Sequence, residues 1–371
     1  MTLRVFVASG AALLTDRAGH GEGLIAHGLF SELARRGHTL TVCARATDFA
    51  VAPPYDVVET GSASSRESVE PLAYARRAAQ LFSEHGGAAA FDVVHWLFPQ
   101  EEEELVYAPP AGVPYVVGPL MPRWPKSTRL RPPKAGDAVR AAIRPMLRRA
   151  HRRALMRADA VLVANRATLD VLPVDVRPHA IVVPYGVDAG RFTPTPPPAD
   201  GSVLFYGKLE QAKGVRDLVE ACALVPEARL VLFGDGPERA WLEARGAAVR
   251  AAVGHERVPE LLATARLVCL PSHGEPYGMA VLESMASGRA VVTTDVGGPR
   301  ELIVDGQGGA LVPPGDVPTL AAAIARLLPD DAVLARMGAF NRARVESDLS
   351  LARSAERVEA VYRAAAQRQA A

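Results

Sequence analysis

Cysteine is scarce in this 371-residue sequence, which holds only Cys43, Cys222 and Cys269. They lie far apart, and their odd number argues against a disulfide framework, so a reducing cytoplasm is the expected setting. Net charge is lacking too. The 42 Lys and Arg against 41 Asp and Glu leave +1, no field to draw nucleic acid or a membrane surface, so an anionic ligand has to be held by local groups. No run approaches the roughly 20 apolar residues that span a bilayer, so an integral membrane protein is not expected. The opening Leu3–Ala8 run is short, and Asp16 and Arg17 follow without a convincing cleavage site; it is read as a first buried strand rather than a signal peptide. No complete Gly-x-Gly-x-x-Gly opens a nucleotide fold. Gly234-Asp235-Gly236 begins one, but Arg239 stands where the third glycine belongs, which disfavours hydride transfer. Lysine is rare as well: the chain has only four, Lys126, Lys134, Lys208 and Lys213.

Short apolar runs are plentiful, each followed by a segment of helical period: Leu3–Ala8, Thr39–Ala44, Asp92–Trp96, Tyr115–Gly118, Ala160–Ala164 and Ala180–Pro184. That alternation predicts parallel sheets covered by helices. The second half repeats the grammar with Val203–Tyr206, Arg229–Phe233, Leu267–Leu270 and Ala290–Thr293, giving two doubly wound α/β domains. The expected division is an N-terminal domain over 1–187, a Pro-rich linker over 188–201, a C-terminal domain over 202–350 and a last helix over 351–371. The linker rests on Thr193–Gly201, whose consecutive prolines favour a stiff extended segment. The last helix is free to pack back across either domain. Open parallel sheets bind ligands beyond the carboxyl ends of their strands, so function is sought in those loops.

Two of the four lysines fall in the loop Gly207-Lys208-Leu209-Glu210-Gln211-Ala212-Lys213-Gly214. Ammonium groups beside free helix N–H groups suit a diphosphate whose charge grows as it leaves. Further on, Glu275-Pro276-Tyr277-Gly278-Met279 opens a helix that carries Glu283. Glu275 is expected in the loop and Glu283 inside the helix, with the backbone N–H groups of Tyr277 to Met279 facing a ligand. The apolar neighbours Val281, Leu282 and Met285 bury this helix, and a carboxylate there needs a ligand or a defined partner. Asp295-Val296-Gly297-Gly298 then ends a strand in paired glycines, read as a place where backbone approaches a ligand.

Taken together and in this order, these segments resemble the retaining GT-B glycosyltransferases that share a Glu-x7-Glu motif, the group 1 or family 4 type. The resemblance covers most of 200–330, through Gly207-Lys208, Lys213-Gly214, Leu232–Pro237, Pro271-Ser272, Glu275 to Glu283, and Gly297-Gly298 with Glu301. It implies a GT-B architecture, two Rossmann-like domains facing across a cleft, the first on the acceptor side and the second on the nucleotide-sugar side. It also implies that Glu283 binds the donor ribose, that Glu275 contacts sugar hydroxyls, that Lys208 and Lys213 hold the diphosphate, and that the loop at Gly254 lies near the nucleobase. Lys208 stands where arginine is more usual, which keeps charge and loses bidentate geometry. In the first half the resemblance rests on Gly21 opening a helix, Arg36-Gly37-His38, Phe91–His95 and Pro184–Asp188. Here His20 replaces the first glycine of a common pair and Leu97 the second histidine of a His-x-His. His95 is therefore a candidate contact to the donor sugar, weighed evenly against a strand-end histidine with its own partners.

The function expected from this resemblance is retaining transfer of a sugar from a nucleotide-diphosphate sugar, with uridine the commonest base, to a small molecule or glycolipid. The Ala- and Arg-rich composition suggests a bacterial source. No Asp-x-Asp occurs in the chain, so no metal or other cofactor is expected; fixed positive charge takes the place of the ion. The readings set against this one are a non-catalytic nucleotide-sugar-binding or scaffold protein, and a nucleotide-sugar epimerase or phosphorylase. A basic stripe at Arg140, Arg144, Arg148 and Arg152 is read as a solvated helix face in preference to a peripheral membrane contact.

Overall fold

The computed structural model describes residues 2–17, 21–61, 70–97, 112–121 and 136–370. His20 lies outside them, as do the side chains of Arg140 and Arg144. The chain forms two compact units, one built from Met1–Met121, Arg131–Tyr185 and Leu351–Ala371, the other from Gly186–Ser350.

In the first unit the strands are β1 (Arg4–Ser9), β2 (Leu13–Thr15), β3 (Thr39–Ala44), β4 (Ala46–Asp48), β5 (Asp56–Glu59), β6 (Val93–Trp96), β7 (Tyr115–Leu120), β8 (Ala160–Val163) and β9 (Ala180–Val182). Seven make one parallel sheet in the order β5-β3-β1-β6-β7-β8-β9, while β2 and β4 pair separately. Helices cover both faces of such a sheet, so its central strands read as continuous apolar runs; β1 is buried from Val5 to Ser9 and β6 throughout. One side of the core is an aromatic cluster in which Phe6 meets Phe82 and Phe91 edge-on, with ring centroids 5.3 and 5.2 Å away.

The last helix, Leu351–Ala370, packs on the helix Gly21–Arg35 of this first unit. Ser354 Oγ donates to Pro184 O at 2.7 Å and Arg36 Nε to Glu359 Oε2 at 2.6 Å. Arg36 and Arg363 hold the Glu359 carboxyl down at about 2, against the opposing effect of burial.

The second unit has β10 (Ser202–Tyr206), β11 (Arg229–Phe233), β12 (Ala248–Arg250), β13 (Leu267–Leu270), β14 (Val291–Thr294) and β15 (Gly309–Val312) in the parallel order β12-β11-β10-β13-β14-β15. The strand order reverses between β10 and β13, which opens the switch point at which such sheets take ligands. The Pro-rich stretch is not a free linker; it lies along this unit as a strap. Prolines leave its carbonyls without strand partners, and three arginines take them in turn. Arg342 Nη1 donates to Ala189 O and Phe192 O at 3.0 and 2.6 Å, Arg289 Nη1 to Thr195 O at 3.0 Å, and Arg266 Nη1 to Pro198 O at 2.8 Å.

Candidate functional site

After β10 the chain turns through Gly207 and Lys208, makes one turn of 3-10 helix over Gln211–Lys213 and enters the helix Val215–Ala223 at Gly214. Gly214 has φ +68°, and a Cβ there would lie 1.9 Å from Pro271 O. The Lys-Gly pair is thus pressed against the loop that follows β13. Three bonds join the two segments: His273 N donates to Ala212 O at 2.9 Å, Lys213 Nζ to Glu275 Oε2 at 2.6 Å, and His273 Nε2 lies 2.5 Å from Asp217 Oδ2. The Lys213 and Glu275 side chains are 20% and 17% exposed. Such a half-buried pair adds little net stability after desolvation. Its consequence is positional: a flexible ammonium is held at one point beside the loop that follows β13. Lys208 is exposed.

As the spacing predicts, Glu275 sits in the loop and Glu283 in the helix Met279–Ala286. That helix starts at Gly278 with no side-chain cap, so its first-turn N–H groups lack intrahelical acceptors. Tyr277 is buried and can offer a ligand backbone rather than its ring.

Buried Glu283 has protein partners on both oxygens. Tyr206 Oη donates to Oε2 at 3.0 Å and His255 Nε2 donates to Oε1 at 2.9 Å. Arg191 Nη1 lies 2.9 Å from His255 Nδ1. An arginine only donates, so Nδ1 is the acceptor and His255 is the neutral tautomer with its proton on Nε2, aimed at Glu283. Burial and the adjacent carboxylate raise the Tyr206 hydroxyl well above its ordinary value, which keeps it a donor. A carboxylate oxygen has two lone pairs, so Glu283, oriented by these neighbours, can still accept from a ligand's hydroxyl groups. Gly254 precedes His255 directly and starts the single turn His255–Arg257.

The paired glycines serve a different purpose from the one expected. A Cβ on Gly297 would lie 2.1 Å from Glu275 O and one on Gly298 2.0 Å from Tyr277 O. They let the helix Gly297–Leu302 close on the Glu275–Tyr277 loop, with Gly298 N donating to Glu275 O at 3.0 Å. Their neighbour is the protein's own backbone.

In the first unit, Gly21 is exposed at its helix start, and a Cβ there would meet nothing within 4 Å. Of the two readings weighed evenly for His95, the side chain's surroundings match the strand-end histidine with its own partners. It is 0% exposed; Nε2 donates to Gly118 O, and Nδ1 accepts from Tyr362 Oη at 2.5 Å. Burial lowers its pKa to about 4. With both ring nitrogens engaged inside the core, His95 is a neutral strand-end histidine that anchors the last helix. Leu97 is buried as well.

Sequence reasoning singled out Lys213, Glu275, Glu283 and Gly254, and missed Arg191, Tyr206, Asp217, His255 and His273. Two of these carried a signal: Tyr206 ends an apolar strand with its one polar atom, and His255 adjoins the glycine already chosen. Arg191 and Asp217 reach their partners only through tertiary folding. Among the described residues no group of three or more His, Cys, Asp or Glu side chains is arranged to hold a metal ion, and no helix is long and apolar enough to cross a membrane.

The family model for glycosyl transferases group 1 matches residues 200–330. Glycogen synthase of Mycobacterium tuberculosis is 37% identical over 201 residues, 50% of this chain and 48% of that protein, so the chain spans about half of that relative's length. Sucrose-phosphate synthase from Thermosynechococcus elongatus has a similar fold, with a TM-score of 0.77 at 20% identity over 98% of this chain and 99% of that one. Anabaena HepE in complex with UDP gives 0.71 at 17% identity, covering 98% and 100% of the two chains. The fold is GT-B, and residues 200–330 match the family model for glycosyl transferases group 1.

Proposed function

We propose that this protein is a retaining glycosyltransferase that takes a sugar from a nucleoside diphosphate sugar, UDP-linked, and passes it to a small-molecule or glycolipid acceptor in the bacterial cytoplasm. The observation that carries this reading is the constellation in the second unit. Lys213 is fixed by Glu275, and Glu283 is oriented by Tyr206 and neutral His255; Tyr206 and Lys213 lie at and after the end of β10, His255 after β12, and Glu275 and Glu283 after β13. Glu283 accepts from the ribose hydroxyls, and the loop at Gly254 and His255 borders the base. Lys213, with exposed Lys208 and the first-turn N–H groups after Gly278, stabilises the charge that grows on the diphosphate as the glycosidic bond breaks. Glu275 meets a hydroxyl of the transferred sugar and keeps Lys213 at the leaving group. The acceptor attacks from the face the diphosphate leaves, through an oxocarbenium-like state, so the anomeric configuration is retained. Fixed cations do the work of a metal ion, and no cofactor is needed.

The HepE complex with UDP supports uridine as the base. A thermal-shift panel of nucleotides and UDP-, ADP-, GDP- and dTDP-sugars tests the donor class, since a ligand specific for the native state raises its stability by mass action. UDP compounds are expected to raise the melting temperature most. A flat panel would remove the donor assignment.

A further inference from the structure

Eight large apolar side chains are strongly exposed among the described residues, and six of them, Met146, Met156, Val171, Val174, Ile181 and Val182, fall between positions 146 and 182 of the first unit. The helix Gly136–Arg157 turns Leu147, Ala154 and Leu155 inward and leaves Arg148, Arg149, Arg152, Arg153 and Arg157 exposed around Met146 and Met156. Between Arg140 and Arg157 the sequence has seven arginines and no acidic residue. A shallow groove of about 450 Å³ is lined by Arg149, Arg152, Arg153, Met156, Arg157 and Asp175. Asp175 answers one of these cations, Arg152, at 2.8 Å. Val174 beside it is 77% exposed.

The place of this surface in the fold sets it apart from any ligand site at the strand ends. Arg157 stands three residues before the first residue of β8, and the Val174-Asp175 turn leads into β9. Both lie at the amino edge of the parallel sheet, whereas open α/β sheets take ligands outside the carboxyl edge. Arginines with long apolar stems, interleaved with single Met and Val side chains, match a plane that is anionic at its surface and apolar just beneath. A nucleic acid backbone would use the charge and leave the exposed Met and Val in water.

We propose that this face docks the protein on a bilayer that contains anionic lipid. The arginines bind headgroup phosphates, and Met156 and Val174 enter the interface between them. This reading is independent of the donor-site assignment, because none of its residues belongs to the second unit.

The test is co-sedimentation of the full chain with vesicles of phosphatidylcholine alone and of phosphatidylcholine mixed with phosphatidylglycerol. The chain is expected to pellet with the mixed vesicles, to stay in solution with the neutral ones, and to be released progressively by salt, as for surface electrostatics. Arg149→Glu with Arg153→Glu, at an unchanged melting temperature, is expected to weaken partitioning roughly tenfold or more. Met156→Ser with Val174→Ser is expected to weaken it by a smaller factor and to make the remaining binding more salt-sensitive. Failure of the wild type to pellet with the mixed vesicles, or equal pelleting with neutral ones, would overturn the proposal. So would undiminished binding by the folded charge-reversed variant.

Discussion

The Glu283 carboxylate meets a phenol on one oxygen and an imidazole on the other, and the imidazole is itself fixed by Arg191. Removing that carboxylate removes charged hydrogen bonds to the ligand, so Glu283→Ala should weaken donor binding by about 1.5–3 kcal/mol. Calorimetric titration with the donor nucleotide checks it; near-normal affinity in a folded variant rejects the ribose role. The proposed function puts Lys213 where charge develops, so Lys213→Ala should lower turnover roughly a hundredfold. A change confined to acceptor affinity would take it out of the diphosphate site. His95 gives a different signal. Its pKa is lowered to about 4 in the folded protein by burial, below the ordinary value near 6.5. As pH falls from about 6.5 to 4 the unfolded chain takes up a proton that the folded one refuses, so the stability due to neutral His95 is complete above that window and is lost through it. His27 and His38 are also lowered by burial and act in the same direction. The melting temperature should therefore drop across this window, and His95→Gln should make the drop shallower. An identical slope in the variant would show that His95 does not titrate in this way. These roles differ in how far they could be read. Glu275, Glu283 and Lys213 stand in short motifs whose chemistry is local, whereas the burial of His95 depends on Tyr362, which lies far along the chain and bore no pattern of its own.

Elements were legible wherever the apolar period was long. The runs at Leu3–Ala8, Val203–Tyr206 and Leu267–Leu270 became β1, β10 and β13 because strands buried on both faces need unbroken apolar sequence. The Pro-rich stretch was legible only in part. Its lack of helix and ladder follows from proline, but the arginines that hold it stand between 68 and 153 residues away. Arg289 is the most buried of the three, at 1% exposure, and burial lowers its pKa to about 10. Besides Thr195 it caps the carbonyls of Leu262 and Ala263 at 2.8 and 3.2 Å. Arg289→Met should leave these acceptors unpaired and cost about 2–4 kcal/mol, since a buried group without its partner loses on the order of 1–3 kcal/mol. Denaturant unfolding measures the loss, and hydrogen exchange should show the earliest opening at the amides of Thr193 and Thr195, the prolines between and after them having none. Loss of less than 1 kcal/mol with unchanged exchange there would mean the strap is held by its own stiffness. The glycine pair at 297 and 298 carries a related lesson. A glycine's need for close approach can be read from sequence, while the identity of the approaching group is decided by packing.

At the scale of the whole molecule, the proposed function has a nearly neutral chain recognise a doubly charged leaving group through a few fixed cations. Transfer should then survive exhaustive chelation with at most a modest change in rate; restoration of lost activity by manganese or magnesium would replace the lysine loop with a metal as leaving-group stabiliser. The two-domain α/β plan was readable because each half repeats one grammar, and the site was readable where charge interrupts an apolar sequence. Acceptor recognition was not, because the first half carries few such interruptions. The most direct test of the account is the melting temperature with and without saturating UDP in the presence of a chelator, for the wild type and for Glu283→Ala. Nucleotide at about a hundred times its Kd stabilises by roughly 2.7 kcal/mol, so the wild type should melt several degrees higher with UDP and the variant should show little of that shift. A wild type that UDP leaves unmoved, or a variant stabilised equally, would contradict a nucleotide-sugar site built around Glu283.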